Sequence, residues 1–422
     1  MRVSAPLPGI SWVQCLLLGA AMCLITSSFG LVQPYSAPYL RATGLSKWDI
    51  NLISGLALLS GMVFQPLIGK LSDKIDARRP VMFLTGILAA GAYGLFPYAN
   101  GAVQFFLLTM IGLNGFHYLN TVGGVLIGRI AGPTTGGAAY AKFRVFGSIG
   151  YVIVAKLSGW LLPHHASLSR NDLTPIFVTL PLFCSAIVFI SWWIPDPKKA
   201  IRHPSQPTDN IATTAKSTAM PSLIPMFLTA YAFYQGALYG VSANLPLYLT
   251  ESLKATPNEL GTFFAIGVVA EVCIMLLVGR YTDKYGRRPA LIVAFCLLPL
   301  RLVGYSLAPN PMWATVVQSL HGLNFGIMGA ISIAYINDCA EDHKRGTEQA
   351  RLGVTACVST ALSQWLSGWL LEKFGFQIMF AFMGCVAAIG TVLMLVAVDE
   401  SHPLLRQNKG FLKRHKKSSD AQ

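Results

Sequence analysis

Four stretches of this chain contain no Asp, Glu, Lys or Arg: residues 3–40, 80–128, 217–250 and 302–337, of 38, 49, 34 and 36 residues. A helix needs about 20 predominantly apolar residues to cross a hydrocarbon core, so each run holds one or two spans. The rest of the sequence agrees, since 53% of its 422 residues are apolar and 12% are charged. Ordinary soluble domains carry about 25% charged residues. A soluble protein of this size could not cover its surface with half that supply. The sequence reads as an all-α, polytopic membrane protein.

Several other classes are excluded at once. A nucleic-acid-binding protein would gather its cations among aromatics in a solvated patch, whereas here they fall between apolar runs. The eight cysteines lie in or beside apolar segments and form no CxxC pair; they read as small core residues, with no metal site or disulfide frame expected. The N-terminal apolar run exceeds a signal-peptide h-region, lacks a convincing cleavage site and leads into another span, so an uncleaved first helix is expected. There is no GxxxxGK[ST] loop for ATP, and no HExxH, GxSxG or kinase signature. Neither an enzyme nor a cofactor is expected.

Apolar length, punctuated by Pro, Gly and charge, predicts twelve spans near 11–32, 49–69, 81–97, 102–127, 140–162, 173–194, 222–246, 258–279, 289–307, 311–337, 350–371 and 376–398. Of the 32 Lys and Arg residues, 24 fall in the N-terminus, the even-numbered loops and the tail. Five lie in the odd-numbered loops (Arg41, Lys47, Arg170, Lys254, Lys373) and three inside spans (Arg144, Lys156, Arg301). Cytoplasmic loops carry the cation excess, which puts both termini in the cytoplasm. The polar stretch 195–221 reads as a flexible linker. It separates a six-helix half, 1–194, from a second, 222–398. The basic tail 399–422 is expected to lie solvated near anionic headgroups.

The halves repeat each other at an offset of about 210 residues. Gly69, Asp73, Arg78, Arg79 and Pro80 follow span two, and Gly279, Asp283, Gly286, Arg287, Arg288 and Pro289 follow span eight. Asp49 and Glu259, each just inside the following helix, are also 210 apart. Duplicated halves are a transporter signature, with the solute site between them at mid-membrane. This G-x-x-x-D-x-x-G-R-R pattern is similar to that of the major facilitator superfamily, over the whole chain. The first copy departs from it, with Asp76 and Ala77 where one glycine is expected. Carboxylates at helix ends beside arginines form charge-assisted bonds that one conformation makes and another breaks. Gly69, Asp73, Arg79, Gly279, Asp283, Gly286 and Arg288 are therefore candidate gating residues.

Ionisable groups at mid-membrane cost about 2.5–3.5 kcal/mol even on a mild scale, so each calls for a role. Glu271 interrupts span eight, Arg301 span nine, and His321 span ten. An acid, a base and an imidazole on consecutive helices suit a proton relay. The set resembles the lactose permease and its relatives, among them proton-linked nucleoside and phenylpropionate permeases. Arg144, Gly147, Ser148 and Gly150 resemble the same group's Arg-x-x-Gly-Ser-x-Gly signature. That resemblance implies a substrate role for Arg144 and proton coupling by Glu271, Arg301 and His321. Asn324 stands where lactose permease has a second acid, and span four lacks an acid to pair with arginine. Galactoside recognition is not implied, and Glu271 is left as the main proton carrier.

Arg144, near the cytoplasmic end of span five, could contact solute or snorkel to headgroups, and Lys156 is expected to snorkel. Asn114, His117 and Asn120 recur every three residues and share a helical face. With Asn324, and with Tyr231 and Gln235 at i and i+4 in span seven, they complete the candidate solute contacts. Gln33, Tyr35 and Tyr39 lie beside Pro34 and Pro38, where aromatics often mark the membrane interface.

The reading is a monomeric secondary transporter of a cell inner membrane, moving a small polar organic solute with protons by alternating access. Its partners would be solute, protons and the bilayer. Span five lacks the Gly-Pro-rich motif of many drug/proton antiporters, so symport is preferred; an efflux antiporter for a drug, sugar or metabolite is the alternative.

Overall fold

The computed structural model describes residues 12–75, 78–131, 136–165, 168–194 and 220–401. The tail beyond 401 and all but the last two residues of the 195–221 linker lie outside the described residues, which contain helices and connections but no strand.

The helices are α1 (Trp12–Ala42), α2 (Lys47–Ile75), α3 (Arg79–Leu95), α4 (Ala102–Ala131), α5 (Gly136–Leu161) and α6 (Arg170–Ser191), then α7 (Leu223–Ser242), α8 (Pro257–Tyr285), α9 (Arg287–Ser306) and α10 (Pro311–Cys339). The last helical stretch, Arg345–Ala397, is 53 residues long. At 1.5 Å per residue that is about 80 Å, more than twice a hydrocarbon core. It is broken at Gly375, whose φ of +83° no side chain adopts comfortably. The pieces are α11 (345–374) and α12 (376–397). Nine helical stretches among the described residues, with Arg345–Ala397 counted once, are long and apolar enough to cross a membrane. Their outer faces present bare hydrocarbon, with Leu182, Leu300, Met312 and Val396 each more than 60% exposed. Such a surface is stable only against lipid.

Helix α1 runs ten residues past its expected end, through Pro34 and Pro38. Proline removes a backbone donor, but near a helix end packed in protein the freed carbonyls find other partners. Tyr35 and Tyr39 consequently do not face lipid. Both are fully buried, and Tyr39 packs on Phe177 at 4.4 Å between ring centroids.

The internal repeat is visible as repeated contacts. The Tyr39 hydroxyl donates to the Phe96 carbonyl, and the Tyr248 hydroxyl donates to the Tyr305 carbonyl, both across 57 residues. Asp49 and Glu259 close capping boxes with Ser46 and Thr256 at the starts of α2 and α8. Arg79 donates to the carbonyl of Ile194 after α6, and Arg288 to that of Val398 after α12. Arg78 holds Ser72 as Arg287 holds Thr282.

Packing follows small residues. A Cβ on Gly150 would meet Cys23 Sγ at 2.5 Å, and one on Gly240 would meet Ser363 Oγ at 2.5 Å. These glycines let α5 close on α1 and α11 close on α7. Between the N-terminal and C-terminal helices the main contacts are α2 on α11 and α5 on α8.

Candidate functional site

Helix α5 presents Arg144, Ser148 and Tyr151 at i, i+4 and i+7, one face of a helix. Its glycines at 147 and 150 turn toward α1, where Thr26 donates to the Gly147 carbonyl at 2.6 Å. Across from that face, α8 presents Phe264, Val268 and Glu271 with the same periodicity. Residues of α1, α4, α7, α9 and α10 complete a cavity of about 340 Å³ between the two groups of helices.

The charged residues lining it are Arg144, Glu271 and Arg301. Arg144 Nη2 lies 3.0 Å from Glu271 Oε1, joining an N-terminal helix to a C-terminal one. Glu271 is almost wholly buried and Arg144 is about a quarter exposed. Arg301 takes neutral partners: Nη2 donates to Gln318 Oε1 at 2.8 Å and Nε to the Tyr305 hydroxyl at 3.0 Å. Tyr305 also donates to Gln318. Helix α10 changes to tighter i→i−3 bonds at Ser319 and Leu320, between Gln318 and His321. Such a break in mid-helix is common where side chains must converge on a ligand. The His321 ring stacks on Phe325 at 5.4 Å, and its buried Nδ1 has no protein partner.

The expected relay of Glu271, Arg301 and His321 thus shares one cavity, but its hydrogen bonds run elsewhere. Glu271 is paired with Arg144 of α5, and Arg301 is held by Gln318 and Tyr305. Arg144 faces the cavity and its carboxylate partner, so snorkelling to headgroups is set aside. The Lys156 ammonium donates to Asn258 Oδ1 at 2.7 Å and Thr262 Oγ1 at 2.6 Å, tying α5 to α8.

The expected polar face of α4 divides. Asn120 lines the cavity, with a buried Oδ1 lacking a protein partner. Asn114 and His117 line a separate cleft between α2, α4 and α11, where Gln65 donates to the Asn114 carbonyl. Asn324 is fully buried outside the cavity lining and donates to the Ala294 carbonyl. Tyr231 and Gln235 are buried in packing, and Tyr239 and Ser242 of the same helix take the cavity positions. Ser148 of the span-five signature lines it, as do residues without a sequence expectation: Thr26, Phe29, Tyr151, Phe264, Gln318 and Phe325. Gln318 was legible in principle, one helical turn before His321. Gln33 lines it as well, accepting from the Tyr151 hydroxyl at 2.9 Å.

Contacts between the two groups of helices cluster at the end carrying the odd-numbered connections. Glu251 takes Arg41 Nε and Lys47 Nζ, each at 2.9 Å. The backbone N–H of Lys47 donates to Glu372. Beneath them the side-chain amides of Asn51 and Asn244 bond to each other. The opposite end keeps the cleft between α2, α4 and α11.

At that opposite end, Asp283 is 69% exposed, and Arg287 joins it at 2.7 Å to Asp338 at 3.2 Å. Arg287 thus makes the ion pairs beside Asp283, while Arg288 ties α9 to the end of α12, donating to the Val398 and Leu395 carbonyls. Gly286 has a φ of +97°, and Gly69 and Gly279 have open space around them. The Asp73 side chain lies outside the described residues.

A polytopic helical bundle with a charged cavity between two groups of helices is an arrangement that membrane transporters use. The chain matches the MFS_1-like family model over residues 18–382 and belongs to that family of the major facilitator superfamily. An uncharacterized MFS-type transporter of Mycobacterium tuberculosis is 24% identical over 404 residues, 90% of this chain and 93% of its own. The probable 3-phenylpropionic acid transporter of Escherichia coli K12 is 26% identical, covering 82% and 89%. The lactose permease of Klebsiella oxytoca is 20% identical, covering 86% and 88%. Among solved structures, the nucleoside transporter NupG superposes with a TM-score of 0.69 at 13% identity, covering 91% of this chain and 98% of that one. A D-xylose–proton symporter does so with 0.68 at 16%, covering 93% and 99%. The protein is a transporter, not an enzyme.

Proposed function

We propose that this protein is a proton-coupled symporter of a small polar organic solute, built of twelve spans in two six-helix halves, 1–194 and 222–398. The linker 195–221, the tail 399–422 and both termini would face the cytoplasm of a cell inner membrane. The cation-poor end sealed by Glu251 and the asparagine pair is then external, and the chain is in an inward-facing state. Lipid and solute suffice as partners, and a monomer suffices for transport.

The observation that carries the reading is the Arg144–Glu271 pair across the cavity. An ion pair in a low-dielectric site holds only while both members are charged, and protonation of the carboxylate releases the guanidinium. A pair that bridges two rocking bodies therefore couples proton binding to their separation. Arg301 and His321 line the same cavity. The solutes after which the relatives are named differ (lactose, 3-phenylpropionic acid, nucleosides, D-xylose), which suits a cavity tuned by its lining rather than by the fold.

The test is transport in proteoliposomes under an imposed pH gradient, scored by accumulation of solutes from a labelled panel. Wild type should accumulate solute against its gradient, and Glu271→Gln should only equilibrate it. Equal accumulation by the variant removes Glu271 from coupling. Extrusion of solute driven by inward proton flow would establish the antiport alternative.

A further inference from the structure

Among the described residues, two guanidinium groups, Arg144 and Arg301, line the cavity with one carboxylate, Glu271. Attraction between opposite charges grows as the surroundings become less polar. Arg301 is 3% exposed, whereas the Arg144 side chain is 28% exposed. Burial by itself therefore favours Arg301 as the partner of Glu271, and the two stand on neighbouring C-terminal helices, α9 and α8. The ion pair is nevertheless made by Arg144 of α5, at 3.0 Å. A buried guanidinium among neutral groups is costly, so further contacts are needed to keep Arg301 where it lies.

Those contacts form a closed ring of hydrogen bonds. Arg301 and Tyr305 are one turn apart on α9, and Arg301 Nε donates to the Tyr305 hydroxyl at 3.0 Å. That hydroxyl donates to Gln318 Oε1, which also accepts from Arg301 Nη2 at 2.8 Å. An amide oxygen carries two lone pairs, and both are used here. The guanidinium also lies over the Tyr305 ring, 5.3 Å from its centroid. The other end of the amide, Nε2, fits against Gly267 of α8, where a Cβ would meet it at 2.6 Å. Gly267 precedes Glu271 by four residues, so Gln318 fills the space one helical turn from the carboxylate.

We infer that Gln318 is a positioning residue that selects the counter-ion of Glu271: it keeps Arg301 on Tyr305 and on its own amide, and so leaves the carboxylate to Arg144. The consequence is mechanical. A pair between Glu271 and Arg301 would join α8 to α9, within the C-terminal helices. The pair with Arg144 instead joins the C-terminal helices to the N-terminal ones. Gln318 thereby decides whether the carboxylate in the cavity ties the two groups of helices together. The selection is made before solute or proton binds, so it goes beyond the symport reading and holds equally for antiport.

The experiment is thermal unfolding of the full-length protein in detergent, without solute, on pairs of substitutions. Residues in contact give non-additive losses of stability, and separated residues give additive ones. With Gln318 in place, the losses of melting temperature from Arg144→Gln and Glu271→Gln should be non-additive, and those from Arg301→Gln and Glu271→Gln additive. Gln318→Leu keeps the bulk and removes the acceptor, and in that background the pattern should invert. Arg301 becomes the coupled partner of Glu271, and Arg144→Gln lowers the melting temperature no further. Gln318→Glu retains an acceptor for Arg301 and should keep the original pattern. Adding Arg301→Gln to Gln318→Leu removes the competing cation, which should return Glu271 to Arg144 and restore their non-additivity. A residue that only packs would lower every melting temperature without exchanging the coupled pair. The role of Gln318 is overturned if Gln318→Leu leaves the original pattern, or if Arg144 and Glu271 stay uncoupled after Arg301→Gln is added. Should Gln318→Leu fail to fold, recovery of folding on adding Arg301→Gln supports the role, and no recovery overturns it.

Discussion

The side-chain amides of Asn51 in α2 and Asn244 after α7 bond to each other in both directions, with Nδ2 to Oδ1 distances of 2.7 and 3.0 Å. Both residues are fully buried. Asn244 also donates to Ser367 of α11, which itself donates to the Gly240 carbonyl. The pair therefore stands at a junction of α2, α7 and α11, below the charged layer that closes one end of the molecule. In a rocking transporter such a pair is a reversible latch, because each amide can exchange its partner for water when the helices part.

Replacing Asn51 by Leu leaves the Asn244 amide buried and short of a partner, at a cost of about 1–3 kcal/mol. The penalty falls on the state sealed at this end, shifting the equilibrium toward the opposite state by a factor of roughly 5 to 150. Spin labels at the C-terminal ends of α1 and α7 should show a longer distance in the variant. An unchanged distance distribution removes Asn51 from the latch.

The charged layer above should matter less. Glu251 accepts from Arg41 and Lys47, but the side chains are 19–41% exposed. Solvent-exposed ion pairs contribute about 0–1 kcal/mol and weaken with salt. Glu251→Gln should therefore shift the same spin-label distances less than Asn51→Leu does, and the shift should fade in high salt. A larger effect than that of Asn51→Leu would reverse this ranking.

The Arg144–Glu271 pair makes an asymmetric expectation for stability. Removing one member leaves a buried charge uncompensated, at about 3–5 kcal/mol, whereas removing both is often neutral. Arg144→Gln should lower the melting temperature in detergent, and the double change Arg144→Gln with Glu271→Gln should recover most of the loss. Additive losses would show that the two residues do not act as a pair.

Gly286 separates α8 from α9 with φ +97° and ψ 169°, a region open essentially to glycine alone. Gly286→Ala should cost about 1–3 kcal/mol, read as a lower melting temperature. It should also disturb the start of α9, where the Arg287 and Arg288 N–H groups donate to Glu400. An unaffected melting temperature would mean that the connection relaxes without strain.

Much of this was legible from local sequence. The membrane-spanning character followed from charge-free length, and the repeat from residues 210 apart, several of which make matching contacts in the two parts of the chain. Glu271 and Arg301 could be singled out because any charge in an apolar run demands a partner. Their partners could not be read. Arg144 is 127 residues from Glu271, and only helix rotation and tilt bring them within 3.0 Å. The same rotation sends Asn120 to the cavity and Asn114 to a different cleft, although both keep one helical spacing. Tyr231 and Gln235 lost their expected place to Tyr239 and Ser242 because α7 faces the cavity farther along its length.

By itself the sequence determined that this chain is helical and belongs in a bilayer, since burying backbone polar groups in hydrocarbon is a constraint that composition and length alone must meet. It also determined which ionisable groups stand inside. The tertiary structure decided which of them meet, that Lys156 and the Asn51–Asn244 pair tie the two groups of helices at one end, and where the cavity's aromatic walls come from. Those outcomes depend on the relative placement of helices far apart in the chain, which is set by side-chain packing between them rather than by any local segment.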